Sequence, residues 1–89
     1  MRAKAKQLLG LPVETASGAP LGRVRDCIFD TESHTIIQYE VRGTNPFAKE
    51  RLIGAHQVVS ISREKMVVED LILKDTQQAP ARPGVVPTA

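Results

Sequence analysis

The side chains best suited to chemistry lie around one short loop, residues 31–34, between two apolar segments. Four of them could ligate a cation: Asp26, Asp30, Glu32 and His34. Hard cations such as Ca²⁺ or Mg²⁺ prefer oxygen ligands of this kind. The spacing matches no loop with defined ligand positions, however, and Asp and Ser are ordinary turn residues. We therefore favour turn chemistry, with a cation site as the alternative, and predict no metal ligands.

The other reactive side chains are one cysteine and a second histidine, His56. Zinc sites need three or four ligands, usually in local pairs, and the two histidines do not supply them. Arg25 could slightly lower the thiol pKa of Cys27, two residues away. No histidine is placed by local pairing to act as its base, so we interpret Cys27 as a passive strand residue.

Motifs typical of enzymes are missing from the sequence. There is no glycine-rich phosphate loop, no paired carboxylate motif and no nucleophile elbow. We therefore predict no catalytic residues, no cofactor and no enzymatic activity.

Length and composition favour one small domain. A body of 89 residues hides only about 60% of the surface that its unfolded chain exposes, so the core must be thin. No apolar run approaches the roughly 18 residues of a membrane span, and the first residues lack the apolar stretch of a secretory signal. We expect a cytoplasmic protein without direct membrane insertion. Residues 1–7 are predicted to form a basic arm, 8–73 a folded domain and 74–89 a disordered Pro/Ala-rich tail.

The positive charge is concentrated at the N-terminus. Arg2, Lys4 and Lys6 are three of 12 basic residues, which leaves nine against ten acidic residues in the rest of the chain. Three aromatic residues are too few for the stacking platforms of single-strand nucleic-acid binders. If the chain touches phosphates, we expect this arm to make the contacts.

The segments 21–30 and 35–42 read as two strands of a hairpin with a four-residue connection. With Asp30 opposite Thr35, alternation predicts one apolar and one polar face. The apolar face would hold Val24, Ile28, Ile37 and Val41. On the polar face, Arg25 would lie opposite Glu40 as a surface ion pair.

Two places in this register conflict with simple alternation. Asp26 falls on the apolar face opposite Tyr39, where a carboxylate is costly unless it is hydrogen-bonded. Phe29 and Ile36 fall together on the polar face, so either a bulge around Asp26 and Cys27 turns them inward or they form an exposed apolar patch.

Short strands are predicted around this hairpin. An entry strand covers 11–15, another strand 51–53, and a turn at 55–57 leads to a second hairpin, 58–62 and 66–70, which residues 71–73 could extend. No stretch has convincing helical spacing, although residues 1–7 could be a flexible or helical lead-in. The chain is predicted to be all-β, with about six strands.

In this order of elements the sequence resembles the PRC-barrel domain family. The resemblance spans roughly residues 8–73. Its residues are Leu21, Gly22, Val24, Asp26 and Asp30, then Ile37, Tyr39 and Val41, then LIGAHQV and the closing KMVVED. It implies a strongly bent barrel that serves as an interaction module, as in the reaction-centre H subunit, the C-terminal domain of the ribosome maturation factor RimM, and small stand-alone proteins.

Three kinds of partner follow. The first hypothesis is a self-associating, non-catalytic module that binds a protein through Phe29 and Ile36, or through the loop of Phe47 with Lys49 and Arg51. Phe47 could instead fold back and cap the thin barrel. The second is a RimM-like ribosome-associated factor whose arm, Arg2, Lys4 and Lys6, contacts phosphates. The third is docking to a photosynthetic or other membrane complex.

Overall fold

The computed structural model describes residues 1–71 and contains six short strands with almost no helix. In chain order the elements are α1 (Ala5–Leu8), β1 (Pro12–Thr15), β2 (Pro20–Asp30), β3 (Thr35–Arg42), β4 (Glu50–Gly54), a 3₁₀ turn (Ala55–Gln57), β5 (Val58–Ile61) and β6 (Met66–Val68). The predicted all-β class and strand number are confirmed. The lead-in is helical from Ala5, and the second hairpin is shorter than predicted.

The strands form one sheet in the order β4-β3-β2-β1-β6-β5. Neighbouring strands are antiparallel except β1 and β6, which are parallel. Strands β4 and β5 are the two edges, and the 3₁₀ turn joins them directly in the chain. The sheet is barrel-like but remains open between these edges. Because bulges bend and twist strands, the irregularities in three of the five pairings explain the strong curvature.

The register of the β2–β3 hairpin is confirmed at both ends and wrong in its centre. Val24 pairs with Val41 at the base, and Phe29 pairs with Ile36 near the tip. Between them Arg25 is an extra residue on β2 and Ile37 an extra residue on β3. The two bulges lie on opposite strands, so their register shifts cancel.

The first bulge resolves the conflict at Asp26. Inserting Arg25 places Asp26 opposite Glu40, exposed to solvent, and brings Cys27 opposite the buried Tyr39. The predicted Asp26–Tyr39 pair is therefore wrong, as is the inward position of Ile37, whose side chain is 46% exposed. A carboxylate on the inner face would have required buried hydrogen-bond donors, and the bulge removes that need.

The core is a single small cluster on the concave face. It consists of Leu8, Leu11, Val13, Leu21, Val24, Tyr39, Val41, Ile53, Met66 and Val68. Every strand except β5 contributes to it, and β5 adds partly buried Val58 and Ile61. Leu8 from α1 belongs to the same cluster, so the short helix is packed onto the sheet.

Two predictions concern the end of the chain. Leu71 lies in a turn and does not extend β6, so that prediction is wrong for this residue. Residues 72 and 73 and the predicted disordered tail, 74–89, lie outside the described residues. In residues 1–71 no helix is long and apolar enough to cross a membrane.

Candidate interaction site

The tip of the β2–β3 hairpin projects beyond the rest of the sheet. Pairing of β3 with β4 ends at Gln38, and pairing of β2 with β1 ends at Arg23. Beyond these points the hairpin has no neighbouring strand within the described residues. A two-stranded ribbon alone is only marginally stable in water, so apolar side chains on it are poorly protected.

Three large apolar side chains lie on this ribbon, and we call them the hairpin patch: Phe29, Ile36 and Ile37. They are 58%, 37% and 46% exposed. Of the two alternatives for Phe29 and Ile36, the exposed patch is therefore correct. Ile37 was missed because the bulge that turns it outward has no signature in the alternation of polar and apolar residues.

The acidic turn next to the patch is organised by its own hydrogen bonds. Ser33 Oγ donates to Asp30 Oδ2 at 2.8 Å, and the backbone N–H of His34 donates to the Asp30 carbonyl at 2.8 Å. The bond from Ser33 and a second from the Glu32 N–H hold the pKa of Asp30 below its ordinary value. Within residues 1–71 no three acidic, histidine or cysteine side chains come together as metal ligands would.

The second predicted surface is the loop between β3 and β4. Phe47 is 93% exposed, so its ring does not cap the barrel. The Asn45 side chain shapes the loop, since its Oδ1 accepts a hydrogen bond from the Phe47 N–H at 2.8 Å. Lys49 is exposed, whereas Arg51 is half-buried on β4 opposite Val41. The loop thus offers one projecting ring beside one cation.

The N-terminal arm lies at another part of the surface. Arg2, Lys4 and Lys6 are all exposed. The Gln7 side chain accepts a hydrogen bond from the Lys4 N–H at 2.7 Å, which organises the start of α1. The arm borders a depression of about 250 Å³, whose lining includes Arg2 and Arg63. None of the residues that line this depression belongs to the hairpin patch.

Ion pairing differs from the sequence prediction. Arg25 contacts Glu50 on β4, with Nε 3.2 Å from Oε2, and not Glu40 on β3. The bulge moves Arg25 out of register with Glu40, and the third strand supplies another carboxylate. The predicted Arg25–Glu40 pair is therefore wrong.

Cys27 is half-buried against the core. Burial, reinforced by the negative charge of Asp26, raises its thiol pKa, contrary to the slight lowering expected from Arg25. The site therefore disfavours the reactive thiolate, and a nucleophilic role gains no support.

The sequence model of the PRC-barrel domain matches residues 2–72. The chain belongs to the PRC-barrel family. No curated protein matches the sequence significantly.

A solved structure shares the PRC-barrel fold. It is a crystal structure from Pseudomonas aeruginosa described as a 16S ribosomal RNA processing protein, RimM, and it is similar to this chain with a TM-score of 0.60 and 22% sequence identity. The similarity covers 75% of this chain and 43% of that protein, so the chain spans less than half of its length. At this identity the likeness concerns the fold alone.

Proposed function

We propose that this PRC-barrel chain is a non-catalytic, cytoplasmic module that binds a protein partner through the hairpin patch. The observation that carries the proposal is the projection of Phe29, Ile36 and Ile37 beyond both neighbouring strands. A cytoplasmic location is supported by its single cysteine, which cannot form a disulfide within the chain.

Covering the hairpin patch with a partner is favourable in free energy. Burying a large apolar side chain is worth roughly 1.5–3 kcal/mol relative to leaving it exposed. Aromatic residues are also enriched at the centres of protein interfaces. A partner that covers Phe29 and the two isoleucines would remove this exposed surface from water and would brace the marginal ribbon.

We propose further that the partner includes a second copy of the chain. Phe29 and Ile36 are direct register partners on the exposed hairpin patch. The same patch on two copies can pack together about a two-fold axis, and such a contact closes as a symmetric dimer.

Sedimentation equilibrium over a wide concentration range tests self-association. The variant is Phe29→Ser combined with Ile36→Ser, and the control is Val59→Ser, which removes an exposed apolar group on β5. We expect the wild type and the control to associate and the double variant to remain monomeric. A monomeric wild type at every concentration would exclude self-association, while equal association of all three proteins would exclude the hairpin patch as the interface.

The Phe47 loop is tested separately, because it lies on a different connection. Phe47→Ala in pull-downs from native cells should lose partners only if this ring contributes to binding. Retention of every partner by this variant, with loss by the hairpin double variant, would assign binding to the hairpin patch alone.

The fold likeness to RimM favours a second candidate, a ribosome-associated factor. In this proposal the exposed Arg2, Lys4 and Lys6 contact RNA phosphates while the barrel contacts a ribosomal protein. Neutralising three phosphates predicts that the logarithm of the binding constant falls with the logarithm of the salt concentration with a slope of roughly −2 to −3. Co-sedimentation with ribosomes should weaken with salt and be lost when all three residues are changed to Gln. Binding that ignores both changes would exclude this role for the arm.

A further inference from the structure

Three arginines meet at the base of the β2–β3 hairpin, at the opposite end from the hairpin patch. Arg23 on β2 and Arg42 on β3 are direct register partners, and Arg25 is the extra residue of the adjacent bulge. Together with Val24, Gly43 and Thr44 they line an open depression of about 390 Å³. We call the three residues the arginine cluster.

The arginine cluster carries an excess of positive charge. Glu50 is the carboxylate that contacts it, with Oε2 at 3.2 Å from Arg25 Nε and 3.8 Å from Arg42 Nε. Three cations against one anion leave a surplus of two charges. Like charges directly opposite each other on paired strands destabilise a sheet, so packing alone gives no reason to place Arg23 opposite Arg42.

The contacts that hold these side chains also orient them. In both ion pairs Nε is the guanidinium atom that approaches Glu50 Oε2. Arg23 Nη1 donates to the Gly10 carbonyl at 2.8 Å, which fixes the third guanidinium. Donors held in place before binding lose less entropy when a ligand arrives. The side chains of Arg25 and Arg42 remain 52% and 55% exposed, within reach of a ligand.

The backbone next to the cluster is tightly packed. A Cβ at Gly43 would meet the Ala48 Cβ, so the chain after β3 turns back closely at this point. The Arg42 carbonyl likewise leaves no room for a Cβ at Gly22. The backbone beside the arginine cluster therefore has no space for side chains at these two positions.

We propose that the arginine cluster binds a phosphate group. Guanidinium groups match phosphate oxygens through paired N–H donors, and a surplus of two positive charges suits one doubly charged phosphate monoester or two neighbouring phosphodiesters better than a single carboxylate. The phosphate could belong to a polynucleotide or to a small phosphorylated molecule, and the chemistry of recognition is the same for both. This site uses the other end of the hairpin and does not depend on the proposed protein-binding patch.

Amide NMR titration of the whole chain at low salt tests the proposal with two probes, inorganic phosphate and a short single-stranded RNA. We expect saturable shifts at Arg23, Arg25, Arg42, Gly43 and Thr44 with at least one probe. Shifts with phosphate would indicate that the group itself suffices, and shifts with RNA alone would indicate a polynucleotide ligand. Shifts confined to residues 2–6, or no saturable shift with either probe, would overturn the proposal.

Charge variants provide the second readout. Arg25→Gln and Arg42→Gln should each weaken binding by about fivefold or more, because each removes a charged donor. Arg63→Gln is the matched control, since it makes the same charge change in the β5–β6 turn and should leave the affinity unchanged. Equal effects of Arg25→Gln and Arg63→Gln would contradict a built site.

Discussion

Ser17 donates a hydrogen bond from Oγ to Asp70 Oδ1 at 2.9 Å, joining the turn after β1 to the residues that follow β6. The Ser17 N–H donates to the same oxygen at 3.1 Å. This contact closes the end of the parallel β1–β6 pairing, where no tight turn holds the strands together. The hydrogen bonds at this end of the sheet also include buried Thr15, whose Oγ1 accepts a hydrogen bond from the Ala19 N–H.

The first prediction concerns acid stability. The backbone and side-chain hydrogen bonds from Ser17 lower the pKa of Asp70 below its ordinary value of 3.8. A lowered folded-state pKa means that the carboxylate stabilises the fold above pH 3.8, and that this contribution disappears as the pH falls through the folded-state value. Thermal unfolding should therefore show a falling Tm below about pH 4.

Asp70→Asn isolates the contribution of this carboxylate to the pH dependence of stability. The variant should have a lower Tm at neutral pH and a smaller loss below pH 4, although Asp30, whose pKa is also lowered, keeps some acid dependence. Glu64→Gln makes the same charge change in the exposed β5–β6 turn and serves as control. An acid transition of unchanged size in Asp70→Asn would show that the hydrogen bonds from Ser17 to Asp70 do not contribute to the pH dependence of stability.

The second prediction concerns Gly22. Its φ of 136° is unfavourable for other residues, and an added Cβ would clash with the Arg42 carbonyl oxygen. Gly22→Ala should therefore destabilise the fold by roughly 2–4 kcal/mol in chemical denaturation, because both the backbone and the β2–β3 pairing must shift.

Gly18→Ala is the matched control for steric crowding. Gly18 also has a positive φ, 97°, but nothing lies within 4 Å of the added Cβ. We expect a loss of about 1 kcal/mol from backbone strain alone. Equal losses at the two positions would mean that the close approach of Arg42 has no energetic consequence.

The third prediction concerns the thin core. Met66 is fully buried between Val13 on β1 and Ile61 on β5 in the strand register. Met66→Ala should cost roughly 2–5 kcal/mol, which is a large fraction of the stability of a domain of this size. Val59→Ala removes a side chain that is 61% exposed and should change stability by less than about 0.5 kcal/mol. Comparable losses for the two variants would place the core elsewhere.

The sequence alone predicted the strands and the pairing at both ends of the β2–β3 hairpin. Val24 and Val41 had to face the core, and the short connection after Asp30 set the pairing at the tip. A bulge around Asp26 and Cys27 was one of two predicted alternatives, but the positions of the two bulges could not be predicted, because Arg25 and Ile37 are ordinary strand residues and carry no glycine to mark an irregularity.

Contacts between strands that are distant in sequence could not be predicted either. The parallel pairing of β1 with β6 joins strands about 50 residues apart, and local alternation does not specify it. The Arg25–Glu50 ion pair could not be predicted for the same reason, because Glu50 lies on β4 and the register of the β2–β3 hairpin does not include that strand. Within the arginine cluster, the hairpin register predicted Arg23 opposite Arg42, whereas the contact of Arg25 with Glu50 depends on a bulge and on a third strand.

The fourth prediction concerns Cys27. Burial, and then the negative charge of Asp26, raise its thiol pKa, so the thiolate fraction at a given pH is smaller than in free cysteine. Reaction with a disulfide reagent at pH 8 should therefore be slower than for free cysteine. Asp26→Asn should speed the reaction by removing the neighbouring charge, whereas Glu32→Gln, in the hairpin turn, should not. A Cys27 that reacts faster than free cysteine would contradict the proposed absence of catalysis, because it would place an activated nucleophile on the concave side of the sheet.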